Sequence, residues 1–419
     1  MRLVCHTCDH SRDQTRVRAN RELDRLWIDN PLLSGRDDSV LVTALRSQCG
    51  KVNPAMTLSK TIAYFITPHG FGHATRACAV MAAVQRINPT VRFEIFTRVP
   101  RWLFDHSLDL SFGYHEVLTD IGLAQHNALH EDIDETVRRL DAFLPFRSAL
   151  IDPLAQQVTA LGCCMVVCDV AALGMTVARA AGIPSILVEN FTWDWIYTGY
   201  ASDNLGLIPH IVTLQHAYTC ATYTVQTEPV CQYRHSNLVT EPVSRVPRQP
   251  RDTVRTQLGI PQVAPCVLIT MGGLSAADQH GFLDQLHAHR EAWFIIPGSH
   301  ASLNVANNVV RLPHQSAFYH PDLLHAADAV VGKTGYSTVA ETYHAGLPYG
   351  YVSRPKFRES DVMEAYIQTH MRGIGFSEIE FHSGAWLDRL PELLAHGKIQ
   401  RTGPNGADQI ADFLMGSVL

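Results

Sequence analysis

The chain has 419 residues, 46% of them hydrophobic and 18% charged, with a formal net charge of -6. That length exceeds one ordinary core, so roughly two or three domains are expected, with the composition of a globular chain. The small acidic balance gives no basis for a nucleic-acid partner, and 10 cysteines over this length are too sparse for a disulfide scaffold.

Residues 1–58 are polar and weakly periodic, with nine Lys/Arg offset by seven Asp/Glu. They contain no signal-peptide-like apolar stretch, and their charge balance speaks against a transit peptide, so a cytoplasmic protein is expected. Cys5-His6-Thr7-Cys8-Asp9-His10 has the look of half a zinc site. No second pair follows at finger spacing and Cys49 stands alone, so no metal is expected. The segment reads as an extension, either disordered or preceding a true start at Met56.

Residues 59–240 alternate short apolar runs with helical periodicity, the pattern of parallel α/β architecture. Strands are predicted at 61–66, 92–97, 113–117, 165–168, 185–188 and 221–225, and the longest helix at about 133–150. The most apolar stretch, 161–188, is broken by Asp169, Arg179, Gly182 and Pro184, and reads as strand–helix–strand rather than a membrane span. Directly behind the first strand stands Gly70-Phe71-Gly72-His73-Ala74-Thr75-Arg76, followed by a helical pattern of Ala77, Val80, Met81, Val84 and Ile87. Glycines at such a turn let the backbone approach a ligand, and the new helix directs unpaired N–H groups and its positive dipole end there. A histidine in that place is suited to proton transfer near neutral pH. Asp169, ending a central strand, either caps the helix starting near Ala171 or serves the same site. The cluster Trp193-Asp194-Trp195 suits a core, or stacking on a sugar or an apolar acceptor.

A Pro- and Arg-rich stretch from Glu241 to Arg251 is the best linker in the chain. The pattern then restarts over 252–404. Strands are predicted at 266–271, 293–296, 309–311, 329–331, 349–352 and 373–376, with the turn Gly272-Gly273-Leu274-Ser275 after the first and a helix at 278–287. Two doubly wound, Rossmann-like domains facing a cleft follow, with ligands at the carboxyl ends of the strands. A second turn, Gly332-Lys333-Thr334-Gly335-Tyr336-Ser337-Thr338, runs into Glu341, and its N–H groups and hydroxyls suit phosphate. It is not a nucleotide-hydrolysing P-loop, because position 327 is alanine. The first turn is not a dinucleotide fingerprint either, because the third glycine, at position 75, is threonine.

The segments His69–Arg76, Cys168-Asp169, Asn190–Tyr197, Pro321–Leu324, Gly332–Glu341 and Phe357–Glu359 resemble, in order, a GT-B glycosyltransferase of the family 28 type. The resemblance is closest to the transferase-like N-terminal module of plant L-arabinose kinases and similar bacterial stand-alone proteins. It covers about residues 60–416. Gly403 to Leu414 resemble the closing helix, and residues 405–419 are expected to form a C-terminal helix that crosses back to the first domain. The sugar-kinase domain of the plant enzymes has no counterpart, so kinase activity is not expected.

The resemblance implies a nucleotide-sugar donor, most simply a UDP-sugar, on the second domain and an unknown acceptor on the first. Donor contacts then fall to Gly272, Gly273, Ser275, Lys333, Gly335, Ser337 and Thr338, with Glu341 on the ribose. The loop 353–361 closes over the sugar, where Arg354 and Glu359 stand in place of the family's Gln pair and leave the sugar open. Acceptor contacts fall to Gly70, Gly72, Arg76, Asn190, Trp193 and Trp195. His73 is the expected base. Asp169 orients it or touches the acceptor. Helix dipoles and Lys333 stabilise the leaving group, with no Asp-x-Asp motif for a metal and no cofactor. The expected reaction is an inverting transfer. A same-fold epimerase or hydrolase and a silent sugar-nucleotide-binding module are the rival classes. Peripheral membrane contact is expected only for a lipid-linked acceptor.

Overall fold

The computed structural model describes residues 60–127, 129–271, 282–354 and 356–418. The N-terminal extension with its zinc half-site, and Gly272, Gly273 and Ser275, lie outside the described residues.

In the first half the elements are β1 (Thr61–Ile66), α1 (Gly72–Ile87), β2 (Arg92–Thr97), α2 (Arg101–Ser107), β3 (Phe112–Glu116), β4 (Ala124–Gln125), β5 (Glu131–Asp132), α3 (Ile133–Phe143) and α4 (Ser148–Ala160). They continue as β6 (Cys163–Asp169), α5 (Ala172–Ala181), β7 (Ser185–Glu189), α6 (Trp193–Thr198), α7 (Ile208–Tyr218), β8 (Tyr223–Thr227) and β9 (Leu238–Thr240). Seven strands form one parallel sheet in the order β3-β2-β1-β6-β7-β8-β9. Every residue of β1 is buried, as expected of a central strand covered by helices on both faces. The helix expected at 133–150 divides at Pro145, which has no N–H to donate and disfavours helix at Leu144.

The second half contains α8 (Arg251–Leu258), β10 (Cys266–Thr270), α9 (Leu283–Ala288), β11 (Trp293–Ile296), β12 (Asn304–Ala306), β13 (Val309–Arg311), α10 (His320–Ala326), β14 (Ala329–Lys333) and α11 (Tyr336–Ala345). Then come β15 (Tyr349–Val352), α12 (Glu359–His370), β16 (Gly373–Phe376), α13 (Glu378–Ser383), α14 (Leu390–Ala395) and α15 (Gly406–Phe413). Its sheet has the order β12-β13-β11-β10-β14-β15-β16, parallel apart from β12. Three-residue strands β9 and β12 are additions to the sequence reading.

Both sheets reverse their strand order at one place, between β1 and β6 and between β10 and β14. Such switch points open a crevice at the carboxyl ends of the strands. The two glycine turns sit there, after β1 and β14. Helix α15 returns to pack on α1, with Arg86 paired to Asp408 at 2.7 Å.

The expected linker is packed rather than loose. Val243 and Ser244 are buried, and Asn405 donates to the Ser244 carbonyl at 2.9 Å. Arg248 donates to the carbonyls of His106 and Ser107 at the end of α2. Asp322 of α10 accepts from the Arg248 backbone N–H.

Candidate functional site

A cavity of about 340 Å³ lies between the two sets of strand ends. One wall is His69 to His73 with Trp102, His106 and Phe191; the other is Lys333 to Thr338 with Glu341, Arg354, Phe357 and Glu359. The walls are close. A Cβ added to Gly72 would lie 3.4 Å from the Ser337 Oγ.

On the first wall, the end of β1 and the end of β6 run side by side, Ile66 against Asp169. His73 sits in the first turn of α1 and places Nδ1 2.8 Å from an Asp169 oxygen. With Nδ1–H donating to that carboxylate, Nε2 carries the lone pair. Arg76, one turn further along α1, clamps the same carboxylate from Nε at 2.8 Å and Nη2 at 2.6 Å. Burial opposes the charge on Asp169, and Arg76 and His73 outweigh it, holding its pKa below the usual range. The next residue, Val170, has φ of 58°, a conformation costly for a β-branched side chain. Its carbonyl accepts from the Tyr218 hydroxyl at 2.8 Å and the Asp169 carbonyl from the Thr67 N–H at 3.3 Å, which hold the bend.

The second wall is the start of α11. Gly332 must be glycine: a Cβ there would lie 2.0 Å from the Thr270 carbonyl oxygen on the neighbouring strand. Behind Ser337 and Thr338, Glu341 accepts from Arg245 Nε at 2.8 Å and meets His320 Nδ1 at 3.1 Å. Burial opposes its ionisation, but Arg245 and His320 prevail and bring the carboxyl to about 2. Lys333 ends β14. Burial and the nearby Arg354 depress its ammonium to about 7.

The loop after β15 reaches across to the first half. Glu359 accepts from Asn190 Nδ2 at 2.8 Å, Arg358 donates to the Trp195 carbonyl at 2.8 Å and stacks on its ring, and Arg354 pairs with Glu131.

No protein-family model matches the sequence. Among curated proteins the chain is 25% identical to the L-arabinokinase of Arabidopsis thaliana over 359 residues, 84% of this chain and 34% of that protein. It thus spans about a third of that relative's length. Among solved structures, the glycosyltransferase SnogD from Streptomyces nogalater superposes with a TM-score of 0.52 at 14% identity, covering 85% of this chain and 100% of that one. Acinetobacter baumannii MurG gives 0.50 at 14% identity, covering 85% and 99%. A Listeria monocytogenes protein described as a UDP-N-acetylglucosamine 2-epimerase gives 0.52 at 12% identity, covering 87% and 96%. The chain has the GT-B fold.

Its GT-B cleft gathers most of the residues singled out from sequence: Gly70, Gly72, His73, Arg76, Lys333, Gly335, Ser337, Thr338, Glu341, Arg354 and Glu359 all line the cavity. Asp169 does not. It is fully buried and bonded to His73 Nδ1. Four acceptor assignments change. Arg76 is 1% exposed, and its donors are engaged by Asp169, Asn190 and Thr227 while its guanidinium covers the Tyr336 ring at 4.5 Å. It braces the His73–Asp169 pair, with four of its five N–H donors engaged inside the protein. Asn190 is fully buried between Arg76 and Glu359. Trp193 is core, stacked on Tyr197 one helical turn along, and the ring of Trp195 is covered by Arg358. Asp132-Ile133-Asp134 has the Asp-x-Asp spacing that the sequence reading passes over. Asp132, however, caps α3 through the Glu135 N–H at 2.9 Å, and Asp134 accepts from Asn204 at 2.7 Å.

The cleft adds His69, Arg245, His320, Phe191 and Phe357. His69 directly precedes the glycine turn and was within reach of the motif. Its Nδ1 accepts the Leu123 N–H at 3.3 Å, so Nε2 bears the hydrogen. Burial and the cations around it hold its pKa well below the ordinary value, so the ring is neutral.

Proposed function

We propose that this GT-B protein transfers a sugar from a nucleotide diphosphate donor, a UDP-sugar, to a hydroxyl acceptor with inversion at the anomeric carbon. The observation that carries the reading is the His73–Asp169 pair facing the N-terminus of α11 across one cavity. His73 Nε2 takes the proton of the acceptor hydroxyl, and the oxygen attacks the anomeric carbon on the face opposite the diphosphate. Asp169 holds the ring in the required tautomer and stabilises the imidazolium that forms. The N–H groups and hydroxyls at Gly335, Ser337 and Thr338 receive the diphosphate charge. Glu341, with Arg245 and His320, marks the ribose end. The walls align both substrates and exclude water.

A same-fold reaction without an acceptor, such as epimerisation, is the second reading. The carboxylate of Glu359, which lines the cavity, favours it. Product analysis with a UDP-sugar separates the two. Transfer requires an acceptor and inverts the anomer, whereas epimerisation proceeds with donor alone.

A further inference from the structure

Two histidines at the first glycine turn, His69 and His73, line the cavity, and their rings are fixed in opposite senses. His73 donates from Nδ1 to Asp169, which leaves its Nε2 as a proton acceptor. His69 accepts the Leu123 N–H at Nδ1, which leaves its Nε2–H as a donor. Among the described residues nothing accepts from that N–H.

The His69 ring is locked in place. Gly122 has φ of 62°, and a Cβ on it would lie 2.7 Å from His69 Nδ1, so only glycine lets the loop 120–123 come this close. That loop is itself fastened. Tyr197 donates to the Gly122 carbonyl at 2.6 Å, and Asp120 accepts the Ile121 N–H at 2.8 Å. Trp193 stands nearly perpendicular to the imidazole, with ring centres 5.0 Å apart. The tryptophan that sequence offered for sugar stacking thus supports a histidine that lines the cavity.

Burial, and after it Arg354, His73 and Lys333, disfavour a charge on His69, so the ring stays neutral. With its proton on Nε2 and no capacity for a second, it does not compete with His73 as base. It can donate one neutral hydrogen bond. Phosphate and carboxylate oxygens draw on charged donors, whereas a sugar hydroxyl is matched by a neutral one. In the reading above, the sugar lies between His73 and the loop after β15 that carries Arg354, and His69 feels both of these residues.

We propose that His69 is a sugar-recognition residue that donates from Nε2–H to a hydroxyl oxygen of the transferred sugar, while His73 takes the acceptor's proton. This rests on the nucleotide-sugar reading above.

Two measurements on the full chain test it. Long-range proton–nitrogen correlation spectra of the histidine rings read the tautomer without a ligand, the His69 signals being those lost in His69→Phe. A neutral ring protonated at Nε2 is expected from about pH 6 to 8, where an ordinary histidine titrates. A ring protonated at Nδ1, or cationic at about pH 6, overturns the inference and leaves the nucleotide reading standing. Calorimetric titration of wild type and His69→Phe with UDP, UDP-glucose, UDP-galactose and UDP-xylose reads the contact itself. The substitution exchanges one neutral ring for another, so UDP is expected to bind both forms alike, which controls for folding. The sugar nucleotide that the wild type holds tightest is expected to weaken by about three- to tenfold in His69→Phe. An unchanged sugar nucleotide, or an equal loss for UDP, overturns the inference and leaves the nucleotide reading standing. Failure of UDP and every sugar nucleotide to bind the wild type overturns both.

Discussion

Position 73 has one imidazole nitrogen tied to Asp169 on a residue that lines the cavity, and the proposed base is its other nitrogen. His73→Ala is expected to lower turnover by about 100- to 10,000-fold while nucleotide affinity holds. Steady-state rates beside a binding isotherm check this, and unchanged turnover removes His73 as the base. Glu341 offers a pH test. Its carboxyl titrates at about 2 in the folded chain against an ordinary 4.5, so the unfolded chain takes up the proton first as pH falls. The stabilisation is therefore complete above the ordinary value and is lost as pH drops through about 2. Thermal unfolding of wild type and Glu341→Gln is expected to differ most above about pH 5, with the gap narrowing toward pH 2. A gap independent of pH contradicts the pairing with Arg245 and His320. At this scale the sequence was informative where a residue sits inside a turn motif, as His73 and Ser337 do. It misled at Arg76 and Trp193, whose residue types suit a ligand and a brace or core equally. Only their partners, 93 positions away for Asp169 and on the same helix for Tyr197, tell the uses apart.

Strand β14 depends on one missing Cβ. Gly332→Ala sets a methyl against the Thr270 backbone, which has no rotamer to yield, so either β10 and β14 part or the strand end rotates. A drop of several degrees in the melting temperature is expected. A variant that melts with the wild type shows that the strand ends tolerate separation. The strands themselves were legible because buried parallel strands are short apolar runs closed by turns. The segment 241–251 was read as a linker because Pro and Arg disrupt periodicity. Its composition says nothing of Arg245, which reaches Glu341, 96 positions on, or of Arg248 at the end of α2.

Across the whole molecule, two sheets with matching switch points face each other, and the loop after β15 fastens one to the other. Asn190–Glu359, Arg358–Trp195 and Arg354–Glu131 all join the two halves beside the cavity. The two-domain plan followed from the restart of the α/β pattern after residue 251. These cross-links did not, because nothing local to either segment signals a partner in the other half. The proposed function predicts a nucleotide diphosphate with its charge on the start of α11 and a sugar toward His73. Calorimetry of the wild-type protein against UDP-, GDP-, ADP- and dTDP-sugars measures this most directly. Saturable binding of a UDP-sugar, competed by UDP, is the expected result; binding of none of the four contradicts it.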